Sequence, residues 1–416
     1  MTLGLLYHMP FWQAADGSLW EAEGSFARYV DSLAPYFDEI LLSVPVFDAP
    51  QASGSRVRAA NVKLSPLPYF PGPRQFYPQL PAMRARLRAW VEQCDVIHLR
   101  VPSPAAIFAF RLARARNKPV FLLVVGDYRA LVPYLPYRGL KKLIFGAYVA
   151  FEEWALRFMA TRALTFANGA ALRAKHEAQG ARVHETKTTT LALSDIARRT
   201  DTCGSRPVRL LTVSRIDPRK GLRVLPAAIA ALKAGGHDCA LDLVGPTIGQ
   251  IGDTERDAIR NEAARLGVSD RVTLTGPIAL DRLMPLDGDY DLFVLPTQPG
   301  EGIPRVLLEA MAAGLPVITT NVSGIASLIA DGSNGMLITE SSADAVAAAV
   351  RTLIGAPALR QRLIQGGYQT ARAHTLERQA AEMMRVVQAE LQLSLAQPTV
   401  GGESLGGGKP LGLPIP

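Results

Sequence analysis

The stretch EGIPRVLLEAMAAGLPVITTNVSG, residues Glu301–Gly324, predicts a loop, a helix and a strand in that order. Pro304 suits the first helical position, because the N–H that proline lacks would have no partner there. Gly314 suits the left-handed residue that ends a helix, and the proline two positions later cannot continue it. Val317–Thr320 is a β-branched run of the kind that forms strands. The apolar face of the helix is predicted from Val306, Leu307, Ala310, Met311 and Ala313, which have helical spacing.

Two glutamates stand eight positions apart in this stretch. Glu301 lies in the predicted loop, and Glu309 lies inside the predicted helix among mostly apolar neighbours. A carboxylate in such surroundings usually has a polar partner or a ligand, because burying it alone is costly. The loop and the helix are therefore predicted to hold a polar ligand.

Short apolar runs alternate with helical patterns along nearly the whole chain. This alternation predicts parallel strands covered on both faces by helices. The predicted fold is α/β, with two successive doubly wound Rossmann-like domains and a ligand at the carboxyl ends of the strands, in a cleft between the domains. The predicted strands are Leu3–Tyr7, Glu39–Val44, Val62–Leu67, Asp95–Leu99, Pro119–Val125 and Ala163–Phe166 in the first half, and Arg209–Val213, Ala240–Val244, Val272–Thr275, Asp291–Leu295 and Val317–Thr320 in the second.

A chain of 416 residues is too long for one ordinary hydrophobic core, so two domains are expected. The polar, turn-rich segment SDIARRTDTCGSRP interrupts the alternation and predicts a hinge. The predicted N-terminal domain spans residues 1–195, the hinge 196–206 and the C-terminal domain 207–375. A terminal helix at residues 376–397 is expected to pack back on the N-terminal domain. The tail 398–416, rich in Gly and Pro, is expected to be disordered.

The net charge of +8 is concentrated in the first half of the chain. Residues 1–200 carry 25 Lys and Arg against 15 Asp and Glu, whereas residues 201–416 carry 20 against 22. A basic half favours an anionic partner, and nucleic acid, a lipid surface and a diphosphate-linked substrate all qualify. Segments that combine cations with apolar residues lie at Met83–Val91, at Arg111–Lys118 and from Arg138 onward. They are predicted either to contact an anionic membrane surface or to be amphipathic helices whose charged faces contact solvent.

Three cysteines, Cys94, Cys203 and Cys239, are widely spaced and form no C-x-x-C pair, so neither a zinc site nor a disulfide framework is indicated. The first residues lack the basic region and the cleavage site of a signal peptide. No uncharged apolar run reaches the roughly 18 residues that span a bilayer. A cytoplasmic location is therefore expected, with peripheral contact at the inner face of the plasma membrane left open.

Turns suited to a phosphate follow three predicted strands of the second half. Ser214-Arg215 follows the first strand, and Lys220-Gly221 opens the next helix, where helix N–H groups favour an anion. Arginine can grip phosphate with two hydrogen bonds and lysine acts as a point charge, although an isolated R-x4-K also fits a solvated turn. Gly245-Pro246 and Gly276-Pro277 follow the next two strands, and glycine there lets a ligand approach the backbone.

The order of these motifs resembles the C-terminal domain of the GT-B glycosyltransferases of family 4. The motifs are strand-S-R-x4-K-G, strand-V-G-P, strand-T-G-P and V-L-P-T-x3-E-G-I-P-x4-E-A-M-A-x-G-L-P-V-I, and the resemblance is strong over about residues 207–340. It implies transfer of a hexose-type sugar from a nucleotide-diphosphate sugar to an acceptor hydroxyl, with retention of anomeric configuration. It also implies that no metal and no cofactor take part.

The resemblance assigns roles to individual residues of the donor site. Arg215 and Lys220 match the basic pair that binds the donor diphosphate and neutralises the leaving nucleotide. Glu301 matches a glutamate that contacts hydroxyls of the transferred sugar, and Glu309 matches one that accepts hydrogen bonds from the nucleotide ribose. Ile278 matches a position whose backbone reads the base, and the donor is expected to be a UDP- or GDP-sugar. The wider donor site adds Gly245, Gly302, Ile303, Pro304, Val306 and Leu307.

The first half is expected, from the same resemblance, to hold the acceptor, but it departs from the family pattern. The histidine that usually follows one strand is replaced by Gly126-Asp127, so that Asp127 faces either the reacting groups or an ordinary turn. His98 matches a strand histidine of the family, although a lone strand histidine is more often a core residue. Gly24, in a glycine-containing loop, matches the acceptor loop in position only. The predicted catalytic residues are Glu301, Lys220, Arg215 and Asp127.

No nucleophile–base pair is visible in the sequence, which fits a mechanism in which the leaving diphosphate draws the proton from the incoming hydroxyl. The expected partners are the nucleotide-sugar donor and a glycan or lipid-linked acceptor of cell-surface polysaccharide or glycolipid biosynthesis. No nucleic acid is expected, because only charge favours it. The remaining alternatives are a sugar-nucleotide epimerase or phosphorylase of the same fold, and a catalytically impaired donor-binding or scaffold protein.

Overall fold

The computed structural model describes residues 1–21, 26–47, 54–70, 72–127, 129, 139–278, 289–298, 304–400 and 403–404. The chain divides into two compact units. Unit 1 comprises Met1–Thr190 with Leu376–Pro416, and unit 2 comprises Leu191–Thr375. Each unit is built on a parallel sheet flanked by helices, which confirms the predicted α/β fold class.

The strands of unit 1 are β1 (Thr2–Leu6), β2 (Phe11–Gln13), β3 (Leu19–Glu21), β4 (Glu39–Pro45), β5 (Ser55–Arg56), β6 (Val62–Leu67), β7 (Val96–Val101), β8 (Val120–Val124), β9 (Leu164–Asn168) and β10 (Val183–Thr186). Its helices before the unit boundary are α1 (Phe26–Leu33), α2 (Pro73–Phe76), α3 (Leu80–Gln93), α4 (Ala106–Arg114), α5 (Gly139–Ala160) and α6 (Ala170–Glu177).

Seven of these strands form a parallel sheet in the order β10-β9-β8-β7-β1-β4-β6. Apolar side chains cover both of its faces, as the near-continuous apolar composition of the strands predicts. On one face, Leu87 and Trp90 of α3 are buried against the sheet. On the other face, Val30 and Leu33 of α1 are buried. The first residue after each strand consequently lies at one edge of the sheet, which is where a ligand is expected.

A small antiparallel sheet has the order β2-β3-β5, and its strands β2 and β3 lie between the first predicted strand and Gly24, where the sequence predicted a glycine-containing loop. Its strands have only two or three residues, too few to show a period of two. Trp12 on β2 stands opposite Trp20 on β3, and their rings stack at 6.1 Å. Helix α6 and strand β10 were also not predicted, because both are short and rich in polar residues.

Unit 2 contains the strands β11 (Val208–Val213), β12 (Cys239–Val244), β13 (Val272–Gly276), β14 (Leu292–Leu295), β15 (Val317–Thr320) and β16 (Met336–Ile338). They form a parallel sheet in the order β13-β12-β11-β14-β15-β16. The helices are α7 (Leu225–Ala234), α8 (Gly249–Arg265), α9 (Val306–Ala312), α10 (Ala343–Gly355) and α11 (Pro357–Ala373). Strand order reverses between β11 and β14, and this switch point is where doubly wound sheets bind ligands.

The segment predicted as a hinge, residues 196–206, lies within unit 2 rather than between the units. Asp201 pairs with Arg360 of α11 at 2.8 Å, and the Cys203 amide donates to Asp291 at 2.6 Å. The Arg199 amide donates to the Tyr368 hydroxyl at 2.8 Å. These partners are distant in sequence, so the polar composition of the segment did not reveal that it is anchored. The chain passes from unit 1 to unit 2 between residues 190 and 191.

The terminal helix α12 (Leu376–Leu391) belongs to unit 1. Met383 and Val387 are buried there in the same core as α1, and Glu390 lies 2.9 Å from His184 of β10. In the tail predicted to be disordered, β17 (Thr399–Val400) and β18 (Glu403–Ser404) pair antiparallel. The rest of the tail after Ser404 lies outside the described residues.

The helix of the opening stretch is shorter than predicted, because α9 begins at Val306 rather than at Pro304. The Pro304 carbonyl accepts a hydrogen bond from the Leu307 amide, so the proline precedes the helix by a tight turn. Gly314 has a φ of 71°, which confirms the left-handed position predicted at the helix end. Among the described helices, none combines the length and the apolar character needed to cross a bilayer.

Candidate functional site

Threonine hydroxyls hold neighbouring strand ends together at the carboxyl edge of the unit 2 sheet. Thr212 of β11 donates to the Val294 carbonyl of β14 at 2.6 Å, and Thr319 of β15 donates to the Leu295 carbonyl at 2.8 Å. Thr320 donates in the same way to Thr297, just past β14. All three hydroxyls are buried. They were not predicted as site residues, because a threonine at a strand end is explained by β-propensity alone.

The Lys220 turn lies directly against the end of β14. Lys220 ends a short 3₁₀ helix, and Gly221 follows it with a φ of 67°. A Cβ on Gly221 would come within 3.0 Å of the Pro296 carbonyl oxygen, so only glycine permits this approach. The Gln298 amide donates to the Arg219 carbonyl at 2.8 Å, which joins the turn to the segment that leads towards Glu301. Lys220 itself is only 8% exposed.

The turns after β11, β12 and β13 also contact one another. Gly245 has a φ of 148°, and a Cβ there would overlap the Ser214 carbonyl oxygen. The Ile216 amide donates to the Pro246 carbonyl at 2.9 Å, and the Gly245 amide donates to the Gly276 carbonyl at 2.9 Å. The backbone that carries Arg215 is therefore packed directly on the glycine turn at Gly245. The sequence motifs predicted each of these turns but not the contact between them.

The electrostatics of this edge favour an anion. The Arg215 side chain is exposed, and Lys220 lies five residues further along the same connection. The nearby Asp217 accepts hydrogen bonds from Arg219 through both its Oδ1 and its Oδ2 atoms, and these bonds lower the pKa of the Asp217 carboxyl to about 2. Because both carboxylate oxygens of Asp217 are bonded to Arg219, the negative charge of Asp217 mainly offsets the positive charge of Arg219.

Helix α9 places the second glutamate of the opening stretch at the same edge. Glu309 is 8% exposed and lies in a helix whose Leu307 and Met311 side chains are fully buried. Pro304 and Val306 are half-buried at the start of the helix, and Ile278 is half-buried after β13. These residues follow parallel strands of one sheet, so the structure brings the described members of the predicted donor site to one edge. Glu301, Gly302 and Ile303 lie outside the described residues.

The predicted acceptor-side residues of unit 1 have different environments. His98 has no exposed surface, its Nε2 lies 2.8 Å from the Tyr29 hydroxyl, and its ring stacks on Phe121 at 4.3 Å. Burial lowers the pKa of His98 to about 3, so the ring is neutral. In this structure His98 is a core residue and cannot contact an acceptor directly, because its side chain is sealed by aromatic neighbours. Gly24 lies outside the described residues.

Asp127 is held by an ion-pair network at the end of β8. Its Oδ2 lies 2.9 Å from Lys175 Nζ, and the same ammonium lies 2.7 Å from Glu153 of α5. Its Oδ1 accepts a hydrogen bond from the Arg129 amide at 2.9 Å. Asp127 therefore has the ordinary turn role that was one of its two predicted roles. A reacting hydroxyl would have to compete with Lys175 for the Asp127 carboxylate. Within the described part of the chain, no cluster of three or more His, Cys, Asp or Glu side chains is arranged to hold a metal ion.

A known family model matches the part of the chain that carries this site. The family model described as "Glycosyl transferases group 1" matches residues 199–370, which lie within unit 2. The chain is 34% identical over 157 residues to a GDP-mannose-dependent alpha-(1-6)-phosphatidylinositol monomannoside mannosyltransferase of Mycobacterium tuberculosis, which covers 36% of this chain and 39% of that protein. It is also 34% identical over 148 residues to the amylovoran biosynthesis glycosyltransferase AmsK of Erwinia amylovora, which covers 34% and 35% of the two chains. The chain therefore aligns with less than half of the length of these relatives.

Solved structures resemble nearly the whole chain at low sequence identity. HepE of Anabaena, solved with UDP and glucose, superposes with a TM-score of 0.61 at 18% identity, covering 94% of this chain and 100% of that one. WaaG, a glycosyltransferase of lipopolysaccharide biosynthesis, superposes with a TM-score of 0.62 at 16% identity, covering 93% and 99%. At this identity the likeness concerns the fold, which is the GT-B type.

Proposed function

We propose that this chain, a member of the group 1 glycosyltransferases over residues 199–370, transfers a hexose-type sugar from a nucleotide-diphosphate sugar to an acceptor hydroxyl with retention of configuration. The observation that carries the proposal is the contact of the Arg215 and Lys220 turns with the glycine turn at Gly245 and the end of β14. This contact puts the two cation-bearing turns at one edge of the sheet, and a pair of cations at such an edge suits a diphosphate.

The mechanism that we propose makes the donor diphosphate both leaving group and base. As the bond between the sugar and the diphosphate breaks, negative charge grows on the diphosphate, and Arg215 and Lys220 stabilise that charge. Lys220 is well placed for this role because its ammonium is nearly buried, where a charge interacts more strongly than it does in water. A diphosphate oxygen then takes the proton of the acceptor hydroxyl, which attacks the same face of the sugar. We propose that this chemistry is metal-independent, as in family 4.

The names of the similar proteins support a donor class and a setting. One relative is named for GDP-mannose and a phosphatidylinositol mannoside, another for a polysaccharide, and one structural neighbour is described with UDP and glucose. We propose that the donor of this chain is a UDP- or GDP-sugar and that the acceptor is a glycan or a lipid-linked glycan of cell-surface biosynthesis. A cytoplasmic location would supply such donors.

A release assay over UDP-, GDP- and ADP-sugars, with and without extracts of cell-surface glycolipid as acceptor, tests this function. We expect one nucleotide diphosphate to be released, and we expect Glu301→Ala to lose the activity, because Glu301 is assigned to the hydroxyls of the transferred sugar. Glu262→Ala is the matched control, since Glu262 lies half-buried on α8 and pairs with Arg265 on the same helix. Binding of a nucleotide without its release would instead indicate an impaired, donor-binding protein.

The surface of α5 supports a further part of the proposal, which is contact with an anionic membrane. Leu140 and Leu143 are each 70% exposed, Trp154 is 55% exposed, and Lys141 and Lys142 lie between the two leucines in sequence. Apolar side chains at this spacing form a stripe along one face of the helix, and such a stripe with flanking lysines suits a lipid surface with negative headgroups. Peripheral binding would bring unit 1 to lipid-linked acceptors.

Sedimentation with vesicles tests this contact. We expect the chain to sediment with phosphatidylglycerol vesicles at low salt and to sediment several-fold less after Leu143→Glu, because a buried apolar contact is lost and a like charge is added. Ile251→Glu is the matched control, since Ile251 is 69% exposed on α8 of unit 2 and the same charge is introduced. Equal losses for both variants would contradict a role for the α5 stripe.

A further inference from the structure

Arg100 of unit 1 is enclosed by aromatic rings. Its guanidinium carbon lies 4.8 Å from the ring centre of Tyr7, 5.0 Å from that of Phe26 and 5.1 Å from that of Tyr29. Rings at these distances attract a guanidinium through the negative charge of their faces and hold its plane in one orientation. The hydrogen-bond donors of Arg100 are therefore fixed in direction before any ligand arrives.

Those donors have no partner in the described part of the chain. The Nε and Nη1 atoms of Arg100 are buried without a hydrogen bond, and the guanidinium pairs with no described carboxylate. Arg209 offers a contrast, because it also lies over a ring, that of Tyr290 at 4.5 Å, but it pairs with Asp242 at 3.2 Å. A charged donor left unpaired in a buried place is costly, so the absence of a partner at Arg100 indicates a missing acceptor group.

The position of Arg100 in the fold shows from where such a group would come. Arg100 is the second-last residue of β7, and β7 pairs with β1 so that Leu99 stands beside Leu6. Tyr7 and His8 follow β1, and Ser103 follows β7, so all of them lie at the carboxyl edge of the unit 1 sheet. This edge is where a doubly wound sheet binds its ligand.

Other buried polar atoms at this edge also lack a partner. The His8 Nδ1 atom and the Ser103 Oγ atom are buried and make no hydrogen bond within the described residues. Burial, with a smaller contribution from Arg100, lowers the pKa of His8 to about 4, so His8 is neutral near pH 7. One fixed cation with neutral hydrogen-bonding groups at the same sheet edge suits a small oxyanion.

We propose that Arg100, together with Ser103 and His8 at the same edge, binds an oxyanion carried by the acceptor, a phosphate ester or a carboxylate, at the carboxyl edge of the unit 1 sheet. The proposal rests on the proposed transfer function and specifies the acceptor, which would be an anionic glycan or a phosphate-linked glycan. Arg100 would thereby select acceptors by charge.

Calorimetric titration of the full chain tests this proposal in a background that carries Arg215→Ala and Lys220→Ala, which removes the cations of the donor site. The probes are glucose 1-phosphate, glucuronate and neutral glucose. We expect at least one anionic probe to bind and glucose not to bind. We expect Arg100→Gln in this background to weaken the binding by about 10-fold or more, because a hydrogen bond to a charged group is lost.

Two further variants distinguish a loss of probe binding from a loss of folding. Arg209→Gln also removes an arginine from an aromatic ring, and we expect it to leave the affinity for the probes unchanged. Arg100→Lys keeps the charge without the fork of donors, and we expect an intermediate affinity. This variant replaces Arg100→Gln if circular dichroism shows that the latter is unfolded.

Each outcome decides the question. Binding of glucose 1-phosphate alone identifies a phosphate-linked acceptor, and binding of glucuronate alone identifies an acidic glycan. Absence of binding for both anions, or equal affinities for the Arg100 and Arg209 variants, overturns the proposal. No nucleotide sugar is present in the titration, so its failure leaves the donor proposal intact, and a failed release assay leaves this result unaffected.

Discussion

Replacing Lys220 with alanine is expected to lower the rate of sugar transfer at saturating donor by about 10³-fold or more. The ammonium group is nearly buried in a turn that packs on the end of β14, so water cannot replace it as a source of positive charge. The developing charge on the diphosphate would then lose one of its two proposed cations at the moment when that charge is largest. Loss of binding alone would be overcome by more donor, whereas this loss would not.

Turnover of the variant should be measured by nucleotide release at several donor concentrations, with the circular dichroism spectrum as the measure of folding. Lys220→Met is a second variant, because methionine keeps much of the aliphatic stem and removes only the charge. Lys233→Ala is the matched control, since Lys233 is exposed near the end of α7 and donates a hydrogen bond to the Gly267 carbonyl. A rate within tenfold of the parent in both Lys220 variants would show that this residue does not stabilise the leaving group.

Replacing Gly221 with alanine is expected to lower the free energy of unfolding of unit 2 by about 3 kcal/mol. One part of this loss comes from the φ of 67°, which residues with a Cβ adopt at a cost. The larger part comes from the Cβ itself, which would overlap the Pro296 carbonyl oxygen and the Ser341 hydroxyl. The Lys220 turn would have to move away from β14, so we also expect weaker donor binding.

Urea unfolding followed by circular dichroism measures this effect, and Gly267→Ala isolates its causes. Gly267 has the same φ of 67°, but a Cβ there would meet no atom within 4 Å. We expect the control to lose only about 1 kcal/mol, which is the cost of the backbone conformation. Equal losses in the two variants would show that the close approach between Gly221 and Pro296 contributes nothing.

The placement of the candidate site could be predicted in part because several of its signals are local. Parallel strands place the residues that follow them at one edge, so the turns at Arg215, Gly245 and Ile278 could be predicted to lie at a common edge. Gly314 could be assigned a left-handed conformation because a helix end followed by proline requires it. What the local pattern did not reveal is how close these turns come, since Gly221 contacts Pro296 across 75 positions.

The sequence by itself therefore determined the fold class, the approximate strands and the order of the motifs in the candidate site, because periodicity and turn chemistry act over a few residues. Only the tertiary structure decided three other matters. It anchored residues 196–206 to unit 2 through partners such as Arg360, it sealed His98 in the core, and it enclosed Arg100 in rings from positions 7, 26 and 29. Each of these depends on which distant segments the sheet order makes neighbours, and that order is set by the packing of whole strands and helices rather than by any short stretch.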